Sequence, residues 1–398
     1  MSQNVNVPLL DLKAQYATIR GQVEPVMRKV VEDQWFIMGP EVSNLEKEIA
    51  EYIGVKHAIG CASGSDAILL AAMALDIRPG DEVICPSYTF FATGGSLARL
   101  GIVPVYADID PVTYNMDPQH VHEVARGCKR LKAIMPVHLF GQSVDMDAFL
   151  TIGDALGVPV IEDAAQAIGT RDRHGVMVGS RGAIGCFSFF PSKNLGGFGD
   201  GGIITTNDDA LAAKMSILRV HGGQPKYYHS VIGLNSRLDA LQAAVLRVKL
   251  RHLEAWHKGR HDNATYYDQQ FARAGAKTSA VPLREGGLPL RTPAPVKAPE
   301  RHVYNQYVVR VPAEIRDETR EHLRVKGIGT EIYYPVPLHM QECFAYLKQN
   351  KPGSLPESES AAAETIALPI YPELTGEQKE HVVNTLVAFV RERSTVPA

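Results

Sequence analysis

From about residue 41 to residue 250, short apolar runs alternate with longer stretches in which apolar side chains recur every three or four positions. The short runs read as strands at His57–Cys61, Glu82–Ser87, Ile102–Tyr106, Lys132–Val137, Val158–Asp163, Ala183–Phe189 and Gly202–Thr206. The periodic stretches predict helices over Glu41–Ile53, Asp66–Leu75, Met146–Leu156 and Asp208–Arg219. Such alternation predicts an α/β fold, because parallel strands need a crossover between them and the crossover helices cover both sheet faces. The expected sheet is seven-stranded and mostly parallel.

A long helix over Arg237–His257 leads away from this region, and the proline-rich stretch 277–300, with adjacent Gly286 and Gly287, reads as an irregular connection. Strands at Tyr304–Val311 and Ile328–Tyr333, a helix over Glu314–Lys326 and a C-terminal helix from about Gly376 predict a smaller α+β domain. The expected division is a large domain over 1–250, including an N-terminal segment 1–40, and a small one over 251–398. With 398 residues, 45% of them hydrophobic, the chain can fill two cores.

Charge and composition narrow the function classes. A net charge of -3 exerts no global pull toward nucleic acid or membrane. No apolar run approaches the roughly 18 residues of a membrane-spanning helix. The N-terminus lacks a basic-then-apolar signal, so a cytoplasmic location is expected. Cys61, Cys85, Cys128, Cys186 and Cys343 are scattered, without the spacing of a metal knuckle, and the histidines form no ligand motif. No metal is expected.

The candidate chemistry gathers at strand ends, where ligands of open α/β sheets bind. Lys193 follows an aromatic run, Phe187-Ser188-Phe189-Phe190, and Glu162-Asp163 closes an apolar strand thirty residues earlier. A lysine able to form a Schiff base and an acid that keeps a pyridine nitrogen protonated are what a pyridoxal-phosphate enzyme requires; for Asp163 a helix N-cap is the alternative. Ser63-Gly64-Ser65-Asp66 follows a strand and opens a helix, so the amides of Gly64, Ser65 and Asp66 suit a phosphate; an ordinary helix cap is the alternative. Phe90, in Ser87-Tyr88-Thr89-Phe90-Phe91, offers a face for a heteroaromatic ring, although adjacent phenylalanines also pack cores. Gln166 is placed to donate to a ring oxygen, and Ser188 to a phosphate. Asn235 and Arg237, entering a helix, suit phosphate or carboxylate oxygens, or else a cap and a solvated arginine.

Taken in order, these segments resemble the DegT/DnrJ/EryC1/StrS sugar aminotransferases, within the fold-type I pyridoxal-phosphate enzymes. The stretches that carry the resemblance begin at Phe36-Ile37-Met38-Gly39-Pro40 and include SGSDAI, PSYTFFAT, PVHLFGQ, IEDAAQAIG, FSFFPSKNLGGFGDGG and GLNSRLDALQAA. They end at Tyr333-Tyr334-Pro335-Val336-Pro337-Leu338-His339. The resemblance implies a homodimer with active sites at the subunit interface. It implies Lys193 and Asp163 as catalytic residues, Gln166 at the ring oxygen, Phe90 as the aromatic stack, and Ser188, Gly64 and Ser65 around the phosphate. Asn235 would reach in from the neighbouring subunit, and Arg237, Tyr334 and His339 would contact a sugar nucleotide. The phosphate turn reads Ser65-Asp66 where relatives often carry threonine for the serine.

Some relatives replace the lysine with histidine and act as dehydrases; Lys193 points to amino transfer. The implied reaction moves an amino group from L-glutamate to a nucleotide-linked ketosugar, UDP- or dTDP-linked, for amino sugars of cell-surface polysaccharides or antibiotics. Asn235-Ser236-Arg237-Leu238-Asp239 and the segment from Tyr333 resemble enzymes of 3-keto sugars. The alternatives are a 4-keto sugar or keto-cyclitol substrate, or a non-catalytic regulator that retains the fold.

Overall fold

The computed structural model describes residues 5–394. Seven strands form the central layer: β1 (His57–Cys61), β2 (Glu82–Pro86), β3 (Val103–Ala107), β4 (Leu131–Ile134), β5 (Ile161–Asp163), β6 (Ile184–Ser188) and β7 (Gly202–Thr206). β2 pairs in parallel with both β3 and β4, and β5 pairs in parallel with β6. Parallel bridges Ile134↔Val160 and Val137↔Asp163 join these groups. β7 runs antiparallel to β6 and to β1. The order is therefore β3-β2-β4-β5-β6-β7-β1, a mostly parallel sheet with one reversed strand.

Strands covered on both faces must be apolar throughout, and Val83, Ile84 and Cys85 of β2 are fully buried. One face packs against the helix Gly64–Ala74 through Ile68 and Leu70. The other packs against Pro40–Ile53 and Ala240–Leu250 through Leu45, Ile49, Ala243 and Leu246. Because two reversals separate β6 from β1, β1 runs in the same sense as β6. Its carboxyl end, leading to Ser63 and Gly64, thus opens on the same edge as Asp163 and Ser188.

The C-terminal region has its own sheet, in which Tyr307–Arg310 pairs antiparallel with Thr365–Leu368. Tyr267, Phe271, Val309, Leu323, Ile366 and Leu386 fill its core, and Val7 joins them through a parallel bridge to Ile328. Of the described cysteines, Cys61, Cys85 and Cys186 are buried thiols, and none is in a disulfide. Among the described residues no helix is long and apolar enough to cross a membrane.

The helix expected over Arg237–His257 is two helices, Ala240–Leu250 and Leu253–Arg273, with a turn at Arg251 and His252. The first buries Val245 and Leu246 against the large sheet, and the second carries Ala264, Tyr267 and Phe271 into the C-terminal core. Residues 328–333 do not form the expected strand. They make single bridges at Ile328 and Glu331, and Thr365–Leu368 occupies the place beside Tyr307–Arg310.

Candidate active site

The carboxyl edge of the large sheet opens into a cavity of about 440 Å³. Ser63, Gly64, Ser65, Phe90, Thr93, Asp163, Gln166, Ser188 and Lys193 line it, and Gln306, Tyr333 and Tyr334 close it from the C-terminal half. The four stretches from the large sheet meet because β1, β2, β5 and β6 end on one edge.

The two acids ending β5 point to opposite faces, as successive strand residues must. Glu162 turns into the protein, where it accepts from His138 Nε2 at 2.9 Å and from the amides of Gly179, Arg181 and Gly182 at 2.6–2.9 Å. His138 Nδ1 accepts the Val144 amide, so Nε2 carries the ring proton. Burial raises the Glu162 carboxyl, but His138 and the amides more than offset it and hold it below the usual range.

Asp163 turns into the cavity and is only 4% exposed. Thr93 Oγ1 donates to its Oδ2 at 2.8 Å and the Ala165 amide to Oδ1 at 3.2 Å. Burial nevertheless raises its pKa, against those two donors and the charge of Lys193. Lys193 is half-buried, and desolvation lowers its ammonium to about 8 while Asp163 opposes the shift. Lys193 and Asp163 therefore share one cavity and feel each other's charge.

Gln166 accepts the Phe140 amide at 2.7 Å and donates from Nε2 to the Tyr334 hydroxyl at 2.9 Å. Phe90 is 54% exposed, a large aromatic face left open at the cavity wall, with its ring centroid 5.9 Å from that of Tyr334. Ser63 caps the helix Gly64–Ala74 by accepting the Asp66 amide at 3.1 Å. That amide is committed to the cap, and Asp66 does not line the cavity. Gly64 and Ser65 do, and a Cβ on Gly64 would lie 2.7 Å from Ser188 Cβ. Only glycine permits this close approach of helix end and strand end.

Asn235 and Arg237 lie apart from this cavity. They line a neighbouring depression with Ile37, Ala62, Gly199, Asp239 and Gln242, and Asp200 borders both. His339 is buried outside the cavity, with both ring nitrogens engaged inside the protein. Thr93, Gln306 and Tyr333 are cavity residues that sequence reasoning missed. Thr93 had a usable signal, since it stands one helical turn after Thr89 in the stretch that carries Phe90.

Two observations fit pyridoxal phosphate to these residues. Among the described residues no cationic side chain forms an ion pair with the buried Asp163, as a pyridinium nitrogen would. The Gly64–Ser188 approach leaves a narrow cradle at a positive helix end, suited to a phosphate. Lys193, Asp163, Phe90, Gln166, Gly64, Ser65 and Ser188 are the residues that would hold the cofactor.

The sequence profile of the DegT/DnrJ/EryC1/StrS aminotransferase family matches residues 18–387. The chain is 47% identical to a pleiotropic regulatory protein of Geobacillus stearothermophilus, over 97% of this chain and 99% of that one. It is 41% identical to a UDP-N-acetyl-3-dehydro-alpha-D-glucosamine 3-aminotransferase of Acidithiobacillus ferrooxidans, over 97% and 98%. The crystal structure of DesV of S. venezuelae, in complex with a ketimine intermediate, superposes with a TM-score of 0.88 at 39% identity, covering 97% of this chain and 98% of that one. The cavity is thus the candidate active site of a chain that belongs to the DegT/DnrJ/EryC1/StrS aminotransferase family.

Proposed function

We propose that this chain is a pyridoxal-phosphate-dependent aminotransferase that carries an amino group from L-glutamate to the C3 ketone of a nucleotide-linked sugar. The observation that carries this reading is the meeting of Lys193 and buried Asp163 in one cavity beside a glycine-permitted helix end. When bound, the cofactor supplies a conjugated ring that draws electrons from the carbon bearing the transferred amine. Lys193 would tether the aldehyde carbon, and its freed Nζ would move the proton at the donor's α-carbon. Asp163 would keep the ring nitrogen protonated, Phe90 would cover one ring face, and Gln166 would orient the ring oxygen. Gly64, Ser65 and Ser188 would bind the phosphate.

The second copy in a homodimer would add Asn235 and Arg237 to this site. In support, Trp35, Phe36, Ile37, Tyr227, Tyr228 and Ile232 are exposed apolar side chains on segments that pair with or adjoin residues 235–240. Residues 1–250 and 251–398 are taken as the large and small domains, and the cytoplasm as the place of action. The 3-keto preference draws support from the 3-dehydro sugar in the name of the Acidithiobacillus relative, a 3-aminotransferase. Incubating enzyme and glutamate with 3-keto and 4-keto nucleotide sugars tests it; turnover of the 4-keto compound alone would overturn it.

A regulatory role without catalysis is the second reading, favoured by the name of the Geobacillus relative. A catalytic protein is yellow with pyridoxal phosphate and bleaches with glutamate, whereas a colourless protein that the cofactor does not reconstitute would favour the regulator.

A further inference from the structure

Ser87, at the end of β2, meets His339, in the short turn Leu338–Met340. The backbone N–H of His339 donates to Ser87 Oγ at 3.2 Å, leaving the serine hydrogen for His339 Nδ1 at 2.6 Å. With Nδ1 accepting, Nε2 carries the ring proton and donates it to Glu359 Oε1 at 3.3 Å. Glu359 is held in turn by the amides of Gly353 at 2.9 Å and Leu355 at 3.3 Å. The order of groups is that of a serine–histidine–acid triad. Yet Ser87 and His339 are 0% and 1% exposed and neither lines the cavity, so no acyl substrate reaches the hydroxyl.

What this chain touches is the frame of the active site. Ser87 leads into Tyr88-Thr89-Phe90, which carries the open aromatic face, and onward to Thr93, the donor to Asp163. His339 follows the segment that carries Tyr333 and Tyr334, and Tyr334 accepts from Gln166. Two further bonds join the same segments: the Leu338 amide donates to the Ser87 carbonyl at 2.8 Å, and the Tyr88 hydroxyl to the Tyr333 carbonyl at 2.6 Å.

We propose that His339, between Ser87 and Glu359, is a positioning residue that locks the wall bearing Phe90 and Thr93 to the wall bearing Tyr333 and Tyr334. It thereby sets the width of the cofactor slot instead of touching a sugar. A buried, fully bonded imidazole suits this role because both of its bonds are directional and each ends on a different segment. The inference rests on the aminotransferase reading only for its kinetic consequence.

The test compares His339→Phe, which keeps a ring but removes both bonds, with His339→Asn, whose side-chain oxygen can still accept from Ser87. For His339→Phe, amide hydrogen exchange is expected to rise together in 87–93 and 333–339 and to stay at the wild-type level in the helix Gly376–Ser394. The kcat for glutamate is expected to fall by about tenfold to a hundredfold, with a smaller change in KM, as reacting groups lose alignment. His339→Asn is expected to restore most of both. Ser87→Ala, which removes a single oxygen, gives the same paired exchange if His339→Phe fails to fold. Wild-type exchange and kcat in a folded His339→Phe would overturn the proposal, as would exchange that rises evenly along the chain and is not rescued by asparagine. Should the wild-type protein show no cofactor chemistry, the aminotransferase reading fails, while the exchange comparison still decides the role of His339.

Discussion

Replacing Thr93 with valine keeps the shape of the side chain and removes the hydroxyl that donates to Asp163 Oδ2 at 2.8 Å. A hydrogen bond to an ionised carboxylate is worth about 1.5–3 kcal/mol. Its loss removes that stabilisation from the charged form alone, so the Asp163 pKa rises further above the usual carboxylate range. The sign follows from the structure: burial already raises this carboxyl, Thr93 is the first group that opposes it, and the Ala165 amide at 3.2 Å is the weaker support that remains. The acid limb of kcat/KM against pH, which reports the ionisation of groups the free enzyme needs, should therefore move toward neutrality. Thr93→Ser keeps the donor and should leave the limb near its wild-type position. A Thr93→Val enzyme with wild-type rate and an unmoved acid limb would refute the claim that this hydroxyl holds Asp163 charged.

Lys193→Ala should abolish turnover while the protein still binds pyridoxal phosphate non-covalently, as read by the absorbance and by dialysis. In the cofactor-free protein, the rate at which Lys193 captures an aldehyde should rise through about pH 8 and then level, because burial keeps the folded amine neutral above that pH. The unfolded lysine stays charged up to about pH 10.4, so the unfolded state binds more protons between the two values. Below pH 8, Lys193→Met should therefore melt above wild type in the cofactor-free form, with the gap shrinking as pH rises through that window. Gly64→Ala would place a Cβ 2.7 Å from Ser188 Cβ. It should weaken cofactor binding by about tenfold, measured by titration, because it spreads the phosphate cradle.

The large sheet was legible because its strands are short apolar runs with clear punctuation. β1 and β7 match their expected bounds, and Met146–Leu156 does too, with Asp145 capping one end and Gly157 at φ 66° closing the other. Thr365–Leu368 was hidden because Ala361, Ala362 and Ala363 of the preceding helix run into it without a breaker. The helix Leu12–Asp33 was hidden by polar faces and by Pro25 within it. Lys193 and Asp163 stood out because a lysine after aromatics and an acid at a strand end are costly without a reason. The Ser87–His339 bond depends on a partner 252 positions away, and no local pattern reports such a distance. Sequence alone does not tell which amides of a helix end its own cap consumes, and the Asp66 amide donates to Ser63 Oγ.

The central claim is that the Lys193 amine tethers the cofactor opposite Asp163. Incubating the protein with pyridoxal phosphate, reducing it with borohydride and mapping the modified peptide by mass spectrometry tests that claim directly. The account expects one phosphopyridoxyl group per chain, on Lys193. A label on another lysine, or none on a folded protein, would contradict it.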